Sequence, residues 1–141
     1  MTIQVTKESI DIGIVARDGD ALVEFYRNVM GLTENGEMSV GSGVVRFFGC
    51  GTSSIKVMIL EEPPPKDAAD GGIAGATGYR YWTVATANLE EIVENCRQRD
   101  LNVVMEPSEV RPGIVVALIC DPDGNLIELV RFLDSTEGSS G

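Results

Sequence analysis

GIVVALICDPDGNLIELV, residues 113–130, decides how this chain folds. The runs GIVVALICD (113–121) and NLIELVRF (125–132) are short, apolar and rich in β-branched residues, so each reads as a strand. Between them Asp121-Pro122 starts a turn, and Gly124 and Asn125 are residues that suit a positive φ. Glu128 is left as a carboxylate on an otherwise apolar strand.

Working upstream, LNVVMEP (101–107) and YRYWTVATA (79–87) are further strands. Between these two, Leu89, Ile92, Val93 and Cys96 recur at i, i+3, i+4 and i+7, one face of a helix. Asn88 and Glu91 form an N-x-x-E arrangement resembling a capping box at its start.

The first half of the chain has the same order. IDIGIVARD (10–18) alternates like a strand with two different faces. Asp18 caps a helix, DGDALVEFYRNVMGL, whose buried face is Leu22, Phe25, Tyr26 and Val29 and which ends at Gly31. Strands are expected at 35–40, 44–49 and 54–61. Asp18 and Asn88 lie about 70 positions apart, as do Leu22 and Ile92. That period is too long for a solenoid and instead predicts an α+β domain of two paired βαβββ modules. Module one covers about 9–61, module two about 79–132, and the proline- and glycine-rich stretch 62–78 links them. The tail, 133–141, reads as disordered, and residues 1–141 as a single domain.

Composition narrows the function. The chain of 141 residues is 43% apolar, enough for a real core, and has no apolar run long enough to span a membrane. The first ten residues lack an apolar segment, which argues against a secretory signal and for a cytoplasmic protein. Cys50, Cys96 and Cys120 are odd in number and widely spaced, so they are expected to be buried free thiols. A formal net charge of −11 repels phosphate backbones and argues against nucleic-acid binding. The chain has no histidine, so any imidazole base or imidazole metal ligand is ruled out within it.

The opening IDIGIVARD with EFYRNVMGL, and above all DPDGNLIELV (121–130), resemble the glyoxalase/bleomycin-resistance/dioxygenase (vicinal oxygen chelate) superfamily. The resemblance runs from about residue 9 to residue 132. It implies the paired βαβββ fold, each sheet curled around a cleft with helices on its convex side, and a homodimer. It also implies a small-molecule partner without fixing the reaction, since members include lyases, epimerases, dioxygenases and antibiotic-sequestering proteins.

In metal-dependent relatives four side chains, usually His, Glu or Gln, line that cleft. The resemblance and strand alternation put Asp11, Lys56, Tyr81 and Glu128 at those positions. Lys56 is a poor occupant, because an ammonium has donors and no lone pair. At about 4 Å from a divalent ion it would be repelled by several kcal/mol at an effective dielectric near 20. Met58 would take its place after a two-residue slip and is no better for a hard ion. Lys56 could also pair with Asp11 or Glu128 and occupy the void itself, and the reading implies no metal and no cofactor. Arg46, Phe48, Tyr79 and Tyr81 are the other candidate ligand-binding residues, with Thr83, Gly13 and Val15 on pocket-facing positions and Trp82 facing the helix.

The first functional reading is capture of a small organic molecule, as in antibiotic or natural-product sequestration, against aromatic walls with Asp11 and Glu128 as polar anchors. The alternative is a metal-independent isomerase, epimerase or lyase. Glu128 or Asp11 would be its base, and Lys56 or Tyr81 would stabilise an enolate. A structural module without a ligand and a non-standard metalloenzyme are the remaining readings.

Overall fold

The computed structural model describes residues 2–133. The chain divides into two compact units, Met1–Asp67 and Ala68–Gly141. Unit one holds β1 (Ile12–Val15), α1 (Gly19–Glu24), β2 (Thr33–Val40), β3 (Gly43–Cys50) and β4 (Ser53–Leu60). Unit two holds β5 (Tyr81–Ala85), α2 (Leu89–Gln98), β6 (Val103–Arg111), β7 (Ile114–Cys120) and β8 (Leu126–Phe132). Each unit is therefore a βαβββ module, and the two mixed sheets have matching strand orders, β1-β4-β3-β2 and β5-β8-β7-β6. The first and last strands of each module run parallel and the other pairs antiparallel.

The helices form where the apolar periodicity puts them. Leu22, Phe25, Tyr26 and Val29 are all buried, as are Leu89, Ile92, Val93 and Cys96. Each such side chain contributes about 1.5–3 kcal/mol by leaving water. The first helix is less regular than its pattern predicts, because residues Phe25–Val29 form a π-helical turn. Phe25 and Tyr26 stay inside together across this wider turn, their rings edge to face with centroids 4.9 Å apart.

Asp18 caps α1 as expected, accepting from the Ala21 amide at 3.1 Å. The capping box at α2 is not formed. Asn88 accepts from the Thr86 hydroxyl at 2.6 Å, and its own amide is directed at Glu91 at 3.4 Å. With its oxygen taken by Thr86, Asn88 makes no capping bond to the helix amides.

The DPDG turn is built around a buried carboxylate. Asp121, 3% exposed, accepts from the amides of Asp123 (3.0 Å) and Asn125 (2.9 Å) and from the Asn125 side chain (2.8 Å). Gly124 takes the positive φ, 89°, and Asn125 does not, because its side chain is committed to Asp121. The linker is pinned rather than loose. Arg17 holds the Pro64 carbonyl at 2.6 Å and Asp67 at 2.7 Å. Arg80 holds the carbonyls of Ala69 (3.2 Å) and Asp70 (3.1 Å). The expected tail lies, from residue 134 on, outside the described residues. Among the described residues no helix is long and apolar enough to cross a membrane. The cysteines are free, but only Cys96 is fully buried, its thiol pushed up to about 11 by burial; Cys50 and Cys120 are half-buried.

Candidate functional site

Strand register sorts the side chains of each sheet onto a face packed by the helix and a helix-free face. In module one the helix side is fixed by Phe48, whose ring meets Tyr26, and by Gly19 of α1 against Ile59. Ile12, Ile55, Phe48 and Glu34 form one row on that side, and Ile14, Val57, Arg46 and Glu37 the next. The helix-free face presents the rows Gly13, Lys56, Phe47, Gly36 and Val15, Met58, Val45, Met38.

This register moves two expected pocket residues. Phe48 is fully buried beneath the helix and is core, not a cleft wall. Arg46 lies on the same side and pairs with Glu34, which also takes Arg27. The two guanidiniums, Arg46 first, hold the Glu34 carboxyl below the usual range. Phe47 stands on the helix-free face instead, cross-strand from Lys56. Alternation alone could not choose between two adjacent phenylalanines; the register with β4 does.

Asp11 immediately precedes β1 and is already engaged. Lys7 pairs with it at 2.9 Å and the Ser54 amide donates at 2.8 Å. The Lys7 ammonium and then that amide hold its carboxyl below the ordinary value. Of the two partners open to Lys56, Asp11 is taken by Lys7, and Lys56 acts on Asp11 only as a weaker charge through space. Lys56 itself is half-buried and, among the described residues, has no hydrogen-bond or ion-pair partner.

In module two the corresponding rows on the helix-free face are Tyr81, Leu126, Cys120 and Thr83, Glu128, Leu118, Met105. Glu128 pairs in register with Thr83 just as Lys56 pairs with Gly13. The Thr83 hydroxyl donates to Glu128 Oε1 at 2.7 Å and so fixes the carboxylate. Tyr81 is half-exposed. Tyr79 precedes β5 and is fully exposed, because the strand starts two residues later than alternation predicts. Trp82 pairs with Ile127 on the helix side, as expected.

These residues do not fit the divalent metal of metal-dependent relatives. Asp11 is committed to Lys7 and Ser54, Lys56 offers donors only, and Tyr81 could bind an ion only as a phenolate. Among the described residues no three His, Cys, Asp or Glu side chains are grouped to hold an ion.

The comparisons with known proteins agree with the fold. A lactoylglutathione lyase of Salmonella typhimurium is 30% identical over 123 residues, covering 82% of this chain and 86% of its own length. A lactoylglutathione lyase of Arabidopsis thaliana is 29% identical over 119 residues, 81% of this chain, and the chain spans 40% of that protein. Among solved structures, a glyoxalase family protein from Bacillus cereus superposes with a TM-score of 0.79 at 19% identity, over 94% of this chain and 97% of its own. Glyoxalase I from Zea mays gives 0.75 at 20% identity, over 92% of this chain and 46% of its own. The family model for the glyoxalase/bleomycin resistance protein/dioxygenase superfamily matches residues 10–129, and the chain belongs to that superfamily.

Proposed function

We propose that this protein binds a small organic molecule on the helix-free faces of its sheets without a metal ion. The observation that carries the reading is the set of side chains there. Asp11, Lys56, Tyr81 and Glu128 replace the usual ligands in a chain with no histidine, and Asp11 and Glu128 are already held by Lys7 and Thr83. Sequestration of an amphipathic natural product needs only such polar anchors beside apolar rows. On this reading the protein is a cytoplasmic homodimer.

A second reading is favoured by the relatives named lactoylglutathione lyase and by the fixed carboxylate of Glu128. In it Glu128 is the base of a metal-independent isomerase, epimerase or lyase, with Lys56 or Tyr81 stabilising developing negative charge.

The deciding experiment is elemental analysis of protein purified without chelators and again after loading with Zn, Fe, Ni, Mn and Mg, alongside turnover of lactoylglutathione. Substoichiometric metal and no turnover are expected. About one tightly held ion per chain sinks the metal-free reading. Turnover without metal that Glu128→Gln abolishes favours the second one.

A further inference from the structure

We propose that module one carries a carboxylate subsite made by Lys56 and the open space over Gly13, with Phe47, Val15 and Met58 taking the apolar body of the ligand. The inference deepens the binding reading above and rests on it.

Its starting point is Gly13. Nine described glycines have a positive φ that favours glycine. Most of the others are hemmed in: a Cβ on Gly43 would lie 2.3 Å from the Ile59 carbonyl oxygen, and one on Gly75 1.9 Å from that of Asp70. Gly13 has neither reason. It sits inside β1 outside the positive-φ region, and a Cβ there would meet nothing within 4 Å. A glycine in a strand weakens it and often marks close approach of a ligand or another backbone. The open space lies on the helix-free face, beside Lys56 in register.

Lys56 supplies the chemistry. Asp11, on which Lys56 acts only through space, is satisfied by Lys7 and the Ser54 amide, so Lys56 is the uncompensated charge of its row. Across the sheet its other neighbour is Phe47, and the next row is apolar throughout. A half-buried lysine flanked by a gap on one side and a phenyl ring on the other matches a small acid with an apolar body. The carboxylate would sit over Gly13 against Lys56 Nζ, a charge-assisted bond stronger than a neutral one. A Cβ at residue 13 would occupy the space that the carboxylate needs.

The test uses phenylacetate, with phenylacetamide as its uncharged match, titrated into full-length ¹⁵N-labelled protein. The expected result is chemical-shift changes at Gly13, Phe47 and Lys56 with the acid, and affinity at least about tenfold weaker for the amide. Lys56→Met should abolish the preference for the acid. Gly13→Val should abolish binding while the melting temperature holds or rises, since the site is open and valine favours a strand. That split separates a ligand gap from a packing role. Equal affinity for acid and amide, no shifts at these residues, or wild-type affinity in folded Gly13→Val overturns the subsite. One ion per chain, with phenylacetate still requiring Lys56 and Gly13, supports the subsite and overturns only the metal-free reading.

Discussion

The row Gly13, Lys56, Phe47, Gly36 in module one occupies the same place as Thr83, Glu128, Leu118, Met105 in module two. The strand orders agree, the helix start recurs, and the buried faces of the helices are built alike. The helix-free faces differ in sign of charge, in the size of the neighbour on the first strand, and in what that neighbour does. Thr83 grips Glu128, whereas Gly13 leaves Lys56 beside open space. The fold of this repeat is held on one side of each sheet, so the other side is free to differ in chemistry.

The largest effects should come from breaking that division of faces. Phe48→Ala removes a fully buried ring that packs on Tyr26 and should cost about 3–5 kcal/mol in urea unfolding. Phe47→Ala, on the helix-free face, should cost less than half of that. Equal costs would mean that the two faces of module one are not distinct in packing.

The turns before the last strands sharpen the comparison next. In module two Asp121 gathers two amides and a side-chain amide; in module one Gly51 and Thr52 make a two-residue connection, with Gly51 at φ 59°. Asp121→Ala leaves buried donors unpaired and should cost about 2–3 kcal/mol. Thr52→Ala should stay within about 0.5 kcal/mol, because among the described residues the contact at Thr52 is to its backbone carbonyl, from the Ser9 hydroxyl at 3.0 Å. Amide exchange at β8 should rise in Asp121→Ala; unchanged exchange there would show that the turn does not hold the strand.

Thr83→Val keeps shape and removes the hydroxyl, so it should cost about 1 kcal/mol and free the Glu128 carboxylate to move. The carboxyl signal of Glu128 should shift in a ¹³C spectrum of this variant and stay put in Gly13→Ala.

The repeat was legible because buried faces obey a period. Leu22, Phe25, Tyr26 and Val29, and Leu89, Ile92, Val93 and Cys96, follow from the sequence periodicity alone, as do Asp18 at the helix start and Trp82 on the helix side. The site was less so. Alternation gives two faces but not which is inside, and Phe47-Phe48 satisfies either choice. Partners distant in sequence, Asp11 with Ser54 and Glu34 with Arg46, come from register, which a single strand does not encode. Asn88 failed as a cap because Thr86, two residues earlier, competes for its oxygen. The open space at Gly13 has no counterpart in the sequence beyond a glycine among β-branched residues.

The smallest expected effect concerns acid. Each module ties an arginine on the helix side of its sheet to a carboxylate: Arg46 and Arg27 to Glu34, and Arg131 to Glu90 at 2.9 Å. Both carboxyls are held below the ordinary value of about 4.3, by the guanidinium first in each case. A depressed carboxyl adds stability that is full above its unfolded pKa and is lost as the pH falls through its lower folded pKa. Unfolding free energy should therefore drop from near pH 5 downward, by no more than about 1 kcal/mol per site, given how exposed such pairs are. Glu34→Gln should flatten this acid limb more than Glu90→Gln, because Glu34 meets two guanidiniums and is the less exposed, 21% against 53%. Added salt should narrow the gap between the two variants, since the more exposed pair of module two is already the better screened. An acid limb that neither variant changes would place the responsible carboxylates elsewhere, with the buried Asp121 the next to replace.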